Sequence, residues 1–125
     1  MKKIITSQNA PAPIGPYSQA VQFDTTLYAS GQIAINPATN ELVLDTIELE
    51  TEQVMKNIQA ILTEAGYGFE HILKCSIFLS DMNDFARVNA VYGGYFKSHP
   101  PARETVQVSC LPKNVNVEIS FIAAK

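Results

Sequence analysis

A chain of 125 residues has room for one hydrophobic core, so we expect residues 1–125 to form a single domain. Its formal charge of −3 and pI near 5.3 offer no broad attraction to polyphosphate, which argues against nucleic acid as a partner. No stretch approaches the ~20 apolar residues of a membrane span, and the first residues lack the apolar core of a signal peptide. The two cysteines have no metal-binding pattern, so we expect buried free thiols in the reducing cytoplasm.

The first third of the chain predicts an ordered loop followed by a β-hairpin. Residues 10–17 contain three prolines and one glycine, which restrict the backbone in advance and suit a segment that presents Tyr17. A plain surface turn fits this composition equally well. Residues 20–23 and 27–30 flank a short polar turn and predict two antiparallel strands.

The middle of the chain predicts a helix, a strand and a second helix. Apolar residues recur at helical spacing over 46–65, with Asp45 and Glu48 placed as a capping box. A second helix is expected over 84–97, where Gly93-Gly94 marks either close packing or a break. Between the helices, residues 71–80 alternate in polarity and predict a strand whose core face carries Leu73, Cys75, Ile77 and Leu79.

The last quarter predicts a hairpin formed by residues 102–110 and 115–123, with Cys110 on its apolar side. The resulting order ββαβαββ predicts an α+β domain in which two helices cover one mixed sheet. The predicted apolar face consists of Val106, Val108, Val115, Val117, Ile119 and Phe121, and the polar face of Arg103, Thr105, Gln107, Ser109, Asn116, Glu118 and Ser120.

The polar face of this hairpin is the strongest candidate for a functional site. On adjacent strands, Arg103 and Glu118 would lie close together. A guanidinium can hold a carboxylate through two parallel hydrogen bonds, and a neighbouring glutamate can orient a water or transfer a proton. The alternative is a surface ion pair between the two, which would contribute only ~0–1 kcal/mol.

Other groups offer less chemistry. His71 and His99 have no neighbour at metal-ligand spacing, so no metal site is predicted. Thr105 and Ser109 would need a base to act as nucleophiles, and no histidine shares their hairpin, so they are interpreted as hydrogen-bonding groups. The sequence contains no phosphate-binding glycine loop and no serine-hydrolase motif.

Several segments, taken together and in this order, resemble the Rid family, the reactive-intermediate deaminases formerly grouped as translation inhibitors. The similarity covers nearly the whole chain, and no single segment would carry it alone. The matching segments are residues 12–19, 30–33, 78–85, 88–92, 101–103, 111–113 and 117–119.

The resemblance implies a chorismate-mutase-like α+β fold that assembles as a homotrimer with ligand clefts between subunits. It implies hydrolysis of 2-aminoacrylate and related 2-imino acids to 2-oxo acids and ammonia, without a cofactor. The alternative is a regulatory module that binds a small carboxylate in the same clefts without turnover. An RNA-cleaving activity, suggested by the older family name, conflicts with the acidic pI.

Carried over by position, the resemblance implies that Arg103 clamps the carboxylate, Glu118 positions the attacking water and Tyr17 relays a proton. Asn89 and the Ser30-Gly31 segment would complete the wall of the cleft. Many relatives have a cysteine where this chain has Thr105, which keeps a hydroxyl for substrate binding but lacks a thiol's nucleophilicity.

Overall fold

Alternating apolar residues along the strands produce one large sheet that is covered by helices on one face. The computed structural model describes all residues, 1–125. The elements are β1 Lys2–Ile5, β2 Ala20–Phe23, β3 Thr26–Gln32, β4 Ile35–Asn36, β5 Glu41–Leu42, α1 Ile47–Ala65, β6 Ile72–Leu79, α2 Phe85–Tyr92, β7 Ala102–Gln107 and β8 Val117–Ala124. The sheet order is β1-β2-β3-β8-β6-β7, in which only β6 and β7 are parallel. A separate two-stranded ribbon, β4-β5, follows β3.

The predicted α+β class, with one mixed sheet and two helices, is confirmed. The apolar stripe of α1 is fully buried and packs in one core cluster with the inward residues of β6 and β8. The helix ends at Gly66, whose left-handed backbone favours glycine. Its start differs from the prediction, because Thr46 rather than Asp45 caps it by accepting a hydrogen bond from the Leu49 amide.

Strand β6 lies where the alternation placed it, and Cys75 is buried in the core as expected. Leu73, however, was wrongly assigned to the core face and is about half exposed. The pairing register between β6 and β8 shifts between Ile72 and Lys74. This bulge puts Ile72 inside and turns Leu73 outward, a change that strict alternation does not anticipate.

Helix α2 is shorter than predicted and ends at Tyr92. A turn of 3-10 helix follows at Gly93–Tyr95. A methyl group added at Gly93 or Gly94 would meet nothing within 4 Å, so these glycines do not serve close packing. The Gly93-Gly94 pair therefore marks a break in the helix, which is one of the two interpretations that the sequence left open.

The predicted C-terminal hairpin is wrong, because β6 lies between β7 and β8. Strand β7 pairs in parallel with β6, which requires the crossover that α2 provides. The side chains of β7 consequently face the opposite way from the predicted pattern, and Val106 lies on the uncovered face of the sheet. Residues 108–110 lie beyond the end of β7, and Cys110 is exposed rather than buried.

On the face of the sheet away from the helices, a small apolar cluster of Ile33, Ile35, Leu111 and Val115 packs against Phe78 at the end of β6. The part of this face over β1, β2 and the first half of β3 has no covering element of this chain. Several large apolar side chains there are about half exposed, among them Ile4, Phe23 and Tyr28. An exposed apolar sheet face of this kind marks a surface for association. Neither helix is long and apolar enough to cross a membrane.

Candidate functional site

A cavity lies where the proline-rich loop meets the end of β3 and the start of β8. It has a volume of about 320 Å³. Its polar lining includes Tyr17, Ser30, Gly31 and Glu118, and we call these four residues the acid half-site. The apolar part of the wall comes from Pro11, Ala12, Ile14, Ile33, Ile35 and Pro112.

The loop that carries Tyr17 is held in place by Gln19, which the sequence analysis did not single out. Gln19 is buried, and its side-chain oxygen accepts a 2.6 Å hydrogen bond from the Ser7 amide. Its side-chain nitrogen donates to the carbonyls of Ser7, Ala10 and Pro11 at 3.1, 3.4 and 2.8 Å. The segment 10–17 is thus an ordered loop, and Tyr17 Oη accepts a 3.2 Å hydrogen bond from the Ile14 amide.

Glu118 lies directly over Gly31, and this contact requires glycine. The pairing of β3 with β8 is irregular between Ala29 and Gln32, which brings the Gly31 backbone under the carboxylate. A Cβ atom at Gly31 would clash with Glu118 Oε2. The carboxyl group is half-buried and forms no ion pair, so burial raises its pKa above the ordinary range.

Arg103 lies elsewhere, between β7 and α2. Its Nη1 donates a 2.7 Å hydrogen bond to Asn89 Oδ1. The guanidinium carbon lies 5.6 Å from the centre of the Phe85 ring and 5.1 Å from that of Tyr92. Phe85, Asn89 and Tyr92 are spaced four and three residues apart, on one face of α2, so the helix forms a cradle for the guanidinium.

Thr105 lies two residues from Arg103 and on the same face of β7. Its Oγ1 is buried and has no hydrogen-bond partner in the chain. The Tyr92 hydroxyl is likewise buried, and its pKa is raised by burial and by the neighbouring Cys75 thiol, which lies in the core and not in the site. An unpaired buried hydroxyl is rare in native proteins, so that of Thr105 beside Arg103 is typical of a site that a ligand completes. We call Asn89, Arg103 and Thr105 the arginine half-site.

The structure does not bring Arg103 and Glu118 together within one chain. Arg103 pairs across the sheet with Cys75, which faces the helices, whereas Glu118 pairs with Phe78 and faces the other way. With β6 between them, their strands are about 10 Å apart and their side chains leave opposite faces. The predicted convergence is therefore wrong for the isolated chain, and so is the alternative of an ion pair.

The remaining titratable groups form no further site of this kind. No three His, Cys, Asp or Glu side chains converge on a point that could hold a metal ion. His71 accepts a hydrogen bond from the Gly68 amide at Nδ1. Cys75 is enclosed in the core, where burial raises its pKa and keeps it an unreactive thiol.

The chain is similar in sequence and in structure to several known proteins. Residues 7–125 match a family model described as endoribonuclease L-PSP. A mouse protein named 2-iminobutanoate/2-iminopropanoate deaminase is 45% identical over 125 residues, covering 100% of this chain and 93% of its own. A Yersinia pestis structure from the Rid protein family is 51% identical, with a TM-score of 0.97 and full coverage of both chains. Escherichia coli TdcF with bound serine is 40% identical, with a TM-score of 0.94 and 98% coverage of each chain.

Proposed function

Because the chain belongs to the Rid family, whose model is described as endoribonuclease L-PSP, we propose that it hydrolyses small 2-imino and enamine acids to 2-oxo acids and ammonia. The mouse relative named as such a deaminase supports this reaction class. The observation that carries the proposal is the pair of half-sites, in which Arg103 is held ready for a carboxylate and Glu118 is half-buried without a cation.

In the proposed reaction the substrate carboxylate binds the guanidinium of Arg103 through two hydrogen bonds, with the unpaired Thr105 hydroxyl beside it. Glu118 orients a water and accepts one of its protons as the oxygen adds to the carbon of the C=N bond. Tyr17 relays this proton from Glu118 to the nitrogen, which gives the aminoalcohol. Glu118 then transfers the hydroxyl proton of the aminoalcohol to the nitrogen as the C–N bond breaks, which releases ammonia and leaves the 2-oxo acid. An enamine enters the same route after protonation at its carbon.

The raised pKa of Glu118 suits this role, because a base with a pKa nearer to neutrality binds a proton more readily than an exposed carboxylate. The imine carbon is already electrophilic, so orientation and a positioned base are sufficient to accelerate water addition. In this proposal neither a metal nor an organic cofactor takes part.

We further propose that each cleft is assembled from the acid half-site of one copy and the arginine half-site of the next, in a homotrimer. The opposite orientations of Arg103 and Glu118 support this, because one small substrate cannot touch both in a single chain. The half-exposed apolar sheet face supplies a surface for the association. A head-to-tail contact that closes on itself forms a ring of identical clefts.

Mixing two inactive variants tests both proposals at once. Arg103→Ala and Glu118→Ala each remove one half-site, so each homo-oligomer should lack turnover. Unfolding the two together and refolding them should restore clefts that take Glu118 from one chain and Arg103 from the other, about a quarter of the wild-type number at equal mixing. Activity that never returns, in mixed oligomers verified by mass spectrometry, would contradict the shared cleft.

The same assay separates hydrolysis from simple binding. Imines made in situ by an amino-acid oxidase decay in water, and the enzyme should accelerate ammonia release beyond that rate. A protein that binds pyruvate at Arg103 but leaves the decay unchanged would be a carboxylate-binding regulatory module instead. RNA cleavage, which the description of the family model names, is disfavoured by the net charge of −3 and is checked with a labelled RNA in parallel.

A further inference from the structure

Glu50 is the one carboxylate that the chain buries completely, and neither half-site contains it. It lies in the first turn of α1, on the helix face that packs against the sheet, and none of its surface is exposed. No lysine or arginine pairs with it. A buried carboxylate without a cation is costly unless hydrogen bonds replace its hydration, so its partners indicate why it is there.

The partners of Glu50 are three N–H groups at the start of β8. Its Oε2 accepts from the backbone amides of Asn116 and Val117 at 2.7 and 3.2 Å. Its Oε1 accepts from Asn116 Nδ2 at 2.8 Å. Both backbone donors belong to the two residues that immediately precede Glu118, so the carboxylate fixes the peptide planes through which the chain enters the strand.

Asn116 is fixed from its other side as well. Its carbonyl accepts from the Ser80 amide at 3.1 Å, and its Oδ1 accepts from Ser80 Oγ at 3.2 Å. The residues just before it are strained, because Lys113 and Asn114 both have φ of 56°. The same segment contributes Pro112 to the cavity wall. The contacts of Glu50 therefore lie between an irregular loop and the residue proposed to orient water.

Glu118 needs this support because its position has little tolerance. Its carboxylate occupies the space that a Cβ at Gly31 would fill, and it has no ion pair of its own to hold it there. Its position is therefore set by the backbone from which it projects. A shift of about 1 Å at a reacting group can reduce a rate by ~10²-fold.

We infer that Glu50 is a positioning residue for the proposed hydrolysis, which holds the start of β8 so that the Glu118 carboxylate lies over Gly31 in the cleft. Its effect falls on the acid half-site alone, because Arg103 is held by α2 and β7. The inference rests on the proposed function, and it predicts that disrupting Glu50 reduces kcat while the affinity for a 2-oxo acid is retained.

The test compares Glu50→Gln, Glu50→Asp and Glu50→Leu. Glutamine keeps an oxygen that can accept from both backbone amides, and its amide nitrogen can donate to Asn116 Oδ1 once the Asn116 side chain flips and turns Nδ2 toward Ser80 Oγ. The kcat of Glu50→Gln should therefore stay within about threefold of wild type. Aspartate is one methylene shorter and cannot reach both donors, so kcat should fall by on the order of 10-fold. Leucine leaves both amides without an acceptor, so kcat should fall by ~10²-fold. Pyruvate affinity should change by less than about threefold in all three variants.

Thr51→Val is the matched control for a purely structural role. Thr51 neighbours Glu50, is equally buried and donates its hydroxyl to the Ile47 carbonyl within α1 at 2.8 Å. The control should lower the melting temperature without changing kcat below the transition. If Glu50→Leu behaves in the same way, or if Glu50→Asp retains wild-type kcat, the inference is wrong. If Glu50→Leu does not fold, the kcat of Glu50→Asp tests the inference.

A second readout does not depend on turnover. Burial raises the pKa of Glu118, so a carboxylate that moves into solvent should titrate at lower pH, which carbon NMR of labelled glutamate detects. We expect this decrease in Glu50→Asp and not in Glu50→Gln. An unchanged Glu118 titration in Glu50→Asp would overturn the inference. Absence of imine hydrolysis in the wild-type protein would instead overturn the proposed function.

Discussion

The acid half-site and the arginine half-site hold their charged groups in opposite ways. Glu118 has no ionic partner and depends on the backbone beneath it, the Gly31 peptide on one side and the start of β8 on the other. Arg103 is held by side chains, namely the Asn89 amide and two aromatic rings of α2. The difference matches their proposed tasks, because a base gains from a raised pKa while a carboxylate clamp gains from a fixed planar fork.

The largest effect should come from Arg103→Lys. Lysine keeps the charge but cannot place two parallel hydrogen bonds on a carboxylate, and it is a poorer fit to the cradle of α2. We expect kcat/KM for imine hydrolysis to fall by ~10²-fold or more, about 3 kcal/mol, with pyruvate affinity weakened in parallel. Steady-state kinetics and calorimetry measure the two quantities. Wild-type turnover in this variant would refute the role assigned to Arg103.

Gly31→Ala should damage the acid half-site while leaving the fold intact. The new methyl group would displace the end of the Glu118 side chain, which can rotate away, so the melting temperature should change little. Turnover should fall by ~10–10²-fold because the carboxylate no longer occupies its position in the cleft. Pyruvate affinity should be nearly unchanged, since Arg103 is untouched.

Gly68→Ala is the control for that substitution. A methyl group there would clash with Glu70 Oε1 and displace the Glu70 carboxylate in the same manner. Glu70 lies in neither half-site, so turnover should remain at the wild-type level. Equal losses in the two variants would mean that general disturbance, rather than the position of Glu118, explains the effect.

A smaller effect should distinguish the role of the aromatic rings beside Arg103 from that of the Tyr92 hydroxyl. Phe85→Leu removes one of the two rings beside Arg103, and the loss of a cation–π contact of about 0.5–1 kcal/mol predicts kcat/KM lower by about 2–5-fold. Tyr92→Phe keeps its ring and deletes a buried hydroxyl without a partner, so kcat/KM should hold and stability should not fall. A larger loss of kcat/KM in Tyr92→Phe than in Phe85→Leu would mean instead that the Tyr92 hydroxyl takes part in the reaction.

How far the sequence could anticipate these half-sites depended on how local each signal was. Helical spacing predicted α1, and alternation placed Cys75 in the core, because both patterns are fixed by neighbours along the chain. The facing of β7 relative to β8 is set by the strand between them, and no pattern within either strand reports it. The prediction that Arg103 and Glu118 converge within one chain was therefore wrong.

The residues that support the half-sites, Glu50 and Gln19, could not be predicted from the sequence for a related reason. Glu50 looks like an ordinary acidic residue of a first helical turn, and its partners are 66 and 67 positions away. Gln19 likewise acts on carbonyls of a loop that has no regular structure. Close contacts of this kind depend on how loops meet the sheet, which composition and spacing leave undetermined.

The smallest expected effect concerns the dependence of stability on pH, and it comes from Glu118. Burial gives Glu118 a higher pKa in the folded chain than in the unfolded chain, so the folded state binds more protons between the two values. Stability should therefore fall as the pH rises through that window, starting from the ordinary glutamate value of about 4.3. Glutamine at position 118 cannot titrate. The part of the pH-dependent loss of stability that is due to Glu118 should therefore be absent in Glu118→Gln.

Denaturant titrations of the wild type and Glu118→Gln across this pH range measure the difference directly, with Glu70→Gln as a control. A carboxylate stabilised by a neighbouring cation would give the opposite slope, with stability lost as the pH falls. The difference between the wild type and Glu118→Gln thus reports whether Glu118 is buried without a partner or paired with Arg103 of another copy. A Glu118-dependent gain in stability with rising pH would mean that the arginine neutralises the carboxylate even without substrate, leaving it a weaker base than the proposed mechanism requires.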